Sequence, residues 1–196
     1  MRLAALLVAL LAWTGLALQA GASWDLGGRP PVPVLLWRMA GYFTVLTNLL
    51  AALMFFRVAL GGTMAARAAG ALTAAILMVA IVYHALLARL WDPQGVAWLA
   101  DQILHGAVPA AVLLWWAVWA PKSGLRGRDA LVWLGWPLLY LAYAMVRQVT
   151  AGFVPYPFLD LAALGPGRVA LNVALAAAGF WATGICLAVL GRLLSR

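Results

Sequence analysis

Charge is the scarcest property of this chain. Only 9% of its 196 residues are charged and 67% are hydrophobic, whereas a soluble domain carries roughly 25% charged residues. That composition excludes an ordinary soluble fold and belongs to a membrane protein. Acids are scarcer still: five, all aspartates, stand against 13 lysines and arginines, for a net charge of +8. The surplus does not signal nucleic acid. On an apolar chain, arginines hold helix ends at an anionic membrane face. The single cysteine, Cys186, excludes an internal disulfide and lies in an apolar run, where a lone thiol serves packing. A Walker-type glycine loop, a Cys or His cluster with metal spacing and a long polar linker are all missing. No cofactor and no metal are therefore expected, and residues 1–196 read as one integral membrane domain. No internal repeat is visible, which does not favour a transporter built from two halves.

What is present is apolar and periodic. Six runs, near residues 2–20, 40–60, 67–89, 98–120, 129–147 and 168–191, are each long enough to span about 30 Å of hydrocarbon. The fold class expected is all-α: a polytopic membrane bundle of six transmembrane helices. The first run has a second reading. Arg2, the run to Ala17 and the small residues Ala20-Gly21-Ala22 before Ser23 resemble a signal peptide with a cleavage site. Its length is at the long end for a signal core and favours a retained helix.

With the N-terminus inside, Arg2, Arg57, Arg67, Lys122, Arg126, Arg128, Arg192 and Arg196 fall inside, and Arg29, Arg38, Arg89, Arg147 and Arg168 outside. The excess predicts a multi-pass protein of the cell (inner) membrane with both termini cytoplasmic. Trp24, Trp37, Trp91 and Trp98 lie near outer ends. Trp115, Trp116, Trp119, Trp133 and Trp136 lie near inner ends, as two interfacial belts would place them. Pro109 and Pro137 are expected to kink the fourth and fifth helices.

The polar residues inside these runs gather at one level. Asp101 and His105 open the fourth helix four residues apart, on one face. Tyr42, Thr44, Thr47 and Asn48 open the second, and Tyr83 and His84 close the third. Tyr140, Tyr143 and Arg147 end the fifth, and Asn172 enters the sixth. At 1.5 Å per residue this is roughly 5–12 Å below the outer interface. Taken singly, such residues are usually structural: a threonine bonds its own i−4 carbonyl, and an asparagine glues helices together. Structural polar groups have no reason to avoid one half of the bilayer, so their convergence points to a cavity open to the outer side. A hydroxyl, an imidazole and a carboxylate there supply the parts of a nucleophile–base–orienter triad.

Three segments carry a resemblance. They are Gly152-Phe153-Val154-Pro155-Tyr156-Pro157-Phe158-Leu159-Asp160 with Gly165-Pro166-Gly167-Arg168, then Leu104-His105-Gly106-Ala107-Val108-Pro109, and Tyr42-Phe43-Thr44-Val45-Leu46-Thr47-Asn48-Leu49. Together they resemble the androgen-induced protein family. Those are small multi-pass membrane proteins described as threonine hydrolases of fatty acid esters of hydroxy fatty acids. The resemblance runs from about residue 38 to 170 and reads the chain as a bacterial relative. It implies a catalytic threonine and a catalytic histidine at His105, with Asp101 four positions before it. Two threonines compete for the nucleophile. Thr44 is preferred because it keeps the aromatic context and shares a face with Asn48; Thr47 is the alternative.

The leading expectation is thus an intramembrane ester hydrolase. Thr44 attacks, His105 acts as base and then acid, and Asp101 orients the ring. Asn48, His84, Tyr143, Arg147 and Tyr156 are expected to line or bind substrate, with Tyr156 in a loop folded over the cavity mouth. The partner expected is a membrane lipid or fatty acyl ester, with no nucleic acid and no obligate protein partner. The alternative is a lipid-binding or scaffold protein without turnover. A proton-coupled transporter comes third, because the titratable residues sit on one side only.

Overall fold

The computed structural model describes residues 1–194. Arg196, counted above among the inside arginines, lies outside them. The described residues are helical and contain no strand. Five helices are long and apolar enough to cross a membrane: α1 (Arg2–Leu26), α4 (Ala66–Leu87), α5 (Gly95–Trp119), α6 (Asp129–Ala151) and α7 (Leu161–Leu194). A sixth crossing exists if α2 (Val32–Met39) and α3 (Phe43–Ala59), bent by 97° at residues 40–42, count as one span.

The core forms on small residues. Ala5, Val8, Ala9, Ala12, Gly15 and Leu16 make one buried stripe of α1 at helical spacing. Alanine and glycine there let α1 close on α3 and α5, since backbones in lipid associate through close packing. A Cβ on Gly15 would meet Ile103 and Leu104 of α5 at 2.7 and 2.8 Å. On the other side α4 packs on α3, α5 and α7. Helix α6 packs closely on α7 over Asp129–Trp133; past that segment the two helices diverge.

Both prolines act where the sequence places them. Proline removes its own N–H and crowds the carbonyl four residues earlier. For Pro109 that carbonyl belongs to His105, and α5 widens into a π turn over Ile103–Ala107 before the proline. For Pro137 it belongs to Trp133, and α6 is interrupted at Leu134. Helix α4 also ends in a π turn, Tyr83–Leu87, closed by Ala88 N–H to the Tyr83 carbonyl at 2.8 Å. In α7, Gly165 adopts φ 72° and ψ 161°, and the long helix restarts at Pro166.

The expected inner belt of tryptophans holds for the exposed Trp119 and is corrected at three positions. Trp115, Trp116 and Trp133 are buried in the core, and Trp115 meets Phe55 edge-on at 4.9 Å. Helix α5 is clasped by α1 and α4, so its large side chains fill the interior. Trp24, Trp37, Trp91 and Trp98 are exposed, as an interface requires. At the far end from the polar level, Asp129 is buried and accepts from Arg67 at 3.1 Å and from the Arg126 amide at 2.8 Å. Lys122 lies there too, with its ammonium on the Ala120 carbonyl, and burial lowers its pKa.

Candidate functional site

Thr44 is the second residue of α3. Tyr42 is extended, at φ −105° and ψ 131°, so the helix starts beneath the chain that descends from α2. The N–H groups of Phe43, Thr44 and Val45 belong to the first helical turn and have no helical acceptor. His105 stands in the π turn of α5. Its Nε2 lies 3.3 Å from the Thr44 hydroxyl oxygen. Its Nδ1 lies 3.1 Å from the Asp101 main-chain carbonyl and 3.2 Å from Asp101 Oδ1. A carbonyl only accepts, so in the neutral ring Nδ1 carries the proton and Nε2 presents its lone pair to the threonine.

The carboxylate is held from a third helix. Asp101 is buried, and Tyr83 of α4 donates to its Oδ2 at 2.5 Å. The same tyrosine ring stacks on the His105 ring, with centroids 3.8 Å apart and planes 15° apart. Tyr83 therefore fixes both the carboxylate and the imidazole. Asn48 works from below. It is buried and donates to the Thr44 carbonyl at 2.9 Å and to the Leu104 carbonyl at 3.4 Å. The Leu104 carbonyl is available because Val108 N–H goes to Ile103 and Pro109 has no N–H. The asparagine thus ties the threonine helix to the histidine turn.

Tyr156 closes the site from above. The loop from Gly152 to Asp160 folds inward, pinned by Gln148 Nε2 on the Leu159 carbonyl at 3.0 Å and by Asn172 Nδ2 on the Phe158 carbonyl at 2.8 Å. Asp160 Oδ1 caps α7 through the amides of Ala162 and Ala163. Burial pushes the Tyr156 phenol up, while the Thr44 hydroxyl and the first amides of α3 act in the opposite direction. Its ring packs on Tyr42, the residue before α3, with centroids 6.1 Å apart.

Two cavities meet at Thr44. One, of about 590 Å³, lies between α1, α2, α5 and the lid; Gln19, Ser23, Arg38, Asp101 and His105 supply its polar wall. The other, of about 100 Å³, is an apolar slot between α4, α6 and α7. Thr44, Tyr83, Leu87 and Tyr156 border both.

Protein-family models, curated proteins and solved structures were all compared with the chain. None matches it. The site's reading accordingly rests on its own geometry.

The structure gathers part of the expected set. Thr44, His105, Asp101, Asn48 and Tyr156 come together. Thr47 does not: it is buried, faces α6 and accepts from Trp136 Nε1 at 3.0 Å. Three positions at about 100° each leave Thr47 about 60° around the helix from Thr44, and α6 packs on that side and takes its hydroxyl. His84 is exposed and borders neither cavity, because the π turn that points Tyr83 inward points its neighbour out. Arg147 and Tyr143 border neither cavity. The Arg147 guanidinium is buried, donates to the Trp37 carbonyl at 3.0 Å and the Tyr143 hydroxyl at 3.1 Å, and lies between the Trp37 and Phe153 rings. It is spent on joining α2, α6 and the lid.

Within the helices, Thr44 is one residue, Tyr83 four and Asp101 six residues from the nearer helix end, up to about 9 Å at 1.5 Å per residue. Sequence reasoning left Tyr83 out of the site, along with Arg38 and Gln19. Tyr83 carried a signal, as a hydroxyl among the polar groups of the shared level. No spacing rule links it to Asp101 across 18 residues.

Proposed function

We propose that this protein is an intramembrane hydrolase of lipid-like esters, with Thr44 as nucleophile and His105 as general base. The observation that carries the reading is the continuous chain from Thr44 Oγ1 through both ring nitrogens of His105 to Asp101 and Tyr83, at hydrogen-bonding separations, at the junction of two cavities. A buried carboxylate, imidazole and phenol cost stability in a membrane bundle, so their retention is explained by work they do. In that work His105 Nε2 takes the hydroxyl proton as Thr44 attacks the acyl carbon. The carboxylate of Asp101 stabilises the imidazolium, and Tyr83 keeps the carboxylate in place. The developing oxyanion finds donors in the first amides of α3 and the Tyr156 hydroxyl, at the positive end of a helix dipole. The resemblance of three segments to the androgen-induced protein family supports the same reading and points to fatty acid esters of hydroxy fatty acids as the substrate class.

An activated phosphonate probe tests this. Labelling of purified protein is expected at Thr44, with loss of the adduct in both Thr44→Ala and His105→Ala. An adduct at Thr47, or none on folded protein, would remove the mechanism and leave a lipid-binding protein.

We infer that the protein spans the cell membrane of a bacterium, with both termini cytoplasmic and the loop of residues 152–160 outside. The arginine excess at the opposite end of the bundle supports this orientation. Reporter fusions are expected to report a cytoplasmic C-terminus. An external one would turn the site to the cytoplasm.

A further inference from the structure

The site has two arms of unequal width, and they differ in what they offer a reacting ester. Thr44 borders both cavities, but His105 borders only the wide one. In ester cleavage the alkoxide must leave beside the group that protonates it, which is the imidazolium formed when Thr44 lost its proton. The alcohol arm therefore has to stand on the His105 side. The acyl arm stays bonded to Thr44 after the alcohol has gone and needs a place without His105.

We infer that the apolar slot between α4, α6 and α7 holds the acyl chain, and that the wide cavity under α2 holds the alcohol and later admits water. This rests on the hydrolase reading above and assigns the two sides of its substrate. The slot offers Val79, Leu138, Val173 and Ala177 as wall, with Phe180 and Met78 towards its floor, and no charged side chain. Its length, from Leu87 to Met78 on α4 and from Val173 to Phe180 on α7, is about 10–14 Å at 1.5 Å per residue. A single unbranched chain fits such a slot. At about 100 Å³ against about 590 Å³, branching is accepted only on the alcohol side. Because α6 and α7 diverge beyond Leu134, the slot lies where a chain can pass in from the lipid.

The reaction balances without a further reactant. Thr44 Oγ bonds to the acyl carbon and its proton passes to His105. The bond from acyl carbon to alkyl oxygen breaks, and His105 returns that proton to the alkoxide. Water then enters from the emptied wide cavity, gives a proton to His105 and attacks the acyl-threonine. The bond from acyl carbon to Thr44 Oγ breaks, His105 returns its proton to that oxygen, and fatty acid leaves.

A pair of isomeric esters with the arms exchanged tests the assignment. An ester of a straight acyl chain with a branched alcohol is expected to turn over about 100-fold faster than its counterpart with a branched acyl group and a straight alcohol. In Ala177→Phe, decanoyl esters are expected to lose about tenfold or more in kcat/KM relative to acetyl esters of the same alcohol. The reverse preference, or an Ala177→Phe effect that follows the alcohol, would overturn the assignment. A straight-chain photoreactive fatty acid, cross-linked to the Thr44→Ala protein, reads the slot without turnover. Labels on α4, α6 and α7 are expected, and labels confined to α1, α2 and α5 would overturn it. If wild-type protein cleaves no ester but the label falls in the slot, the hydrolase reading fails and the acyl site stands.

Discussion

Alanine at position 105 is expected to lower ester turnover by about 10²–10⁴-fold, the usual contribution of a positioned general base. Alanine at position 44 removes the bond-forming oxygen itself and is expected to cost about 10⁴-fold or more. Both proteins should insert and fold as the parent does. The Thr44 side chain meets His105, and both positions are only partly buried. The two losses are expected to be non-additive, because the residues act as one unit. Asp101→Asn is expected to cost less than either. The main-chain carbonyl of Asp101 still accepts from Nδ1 and holds the same ring tautomer, so the loss is confined to charge stabilisation of the imidazolium. Purified variants assayed on one lipid ester give all three values. Unchanged turnover in His105→Ala would end the hydrolase reading.

The second large effect is on stability and comes from a residue with no chemistry. Gly41 sits at the corner between α2 and α3, two residues before α3 begins. A Cβ there would lie 2.4 Å from the Phe153 ring and 2.7 Å from Arg147 Nη1. Neither neighbour can yield easily. Phe153 is packed on Tyr42 and on the guanidinium, and Arg147 is held by the Trp37 carbonyl and the Tyr143 hydroxyl. Overpacking alone costs roughly 1–3 kcal/mol, and a displaced buried guanidinium adds roughly 1–3 kcal/mol for each charged hydrogen bond it gives up. Gly41→Val is therefore expected to destabilise by about 3 kcal/mol or more. Thermal unfolding in detergent measures it. Turnover should fall as well, because the same corner sets where Thr44 enters. A melting temperature equal to that of the parent would show that the corner has slack.

The sequence by itself determined the class of protein and most of the parts of its site. Apolar run length is a local property, so the long helices and their order follow from hydropathy, with kinks at Pro109 and Pro137; the short α2 and the two π turns do not. Asp101 with His105, and Thr44 with Asn48, were legible because spacing of four on a helix is a local rule as well. Tertiary structure decided which polar groups meet. Thr44 and Thr47 stand on one short stretch with equal chemistry, and only the packing of α3 against α5 on one side and α6 on the other separates base contact from the Trp136 bond. Arg147 reads as an anion binder in sequence, yet the Trp37 and Phe153 rings and the Trp37 carbonyl, all from other segments, close around it. His84 reads as a substrate contact in sequence, yet the turn of α4 exposes it and brings its neighbour Tyr83 to Asp101. The two cavities were invisible in the chain. Their walls come from helices far apart in sequence, and a void is set by where helices diverge, which no residue states by itself.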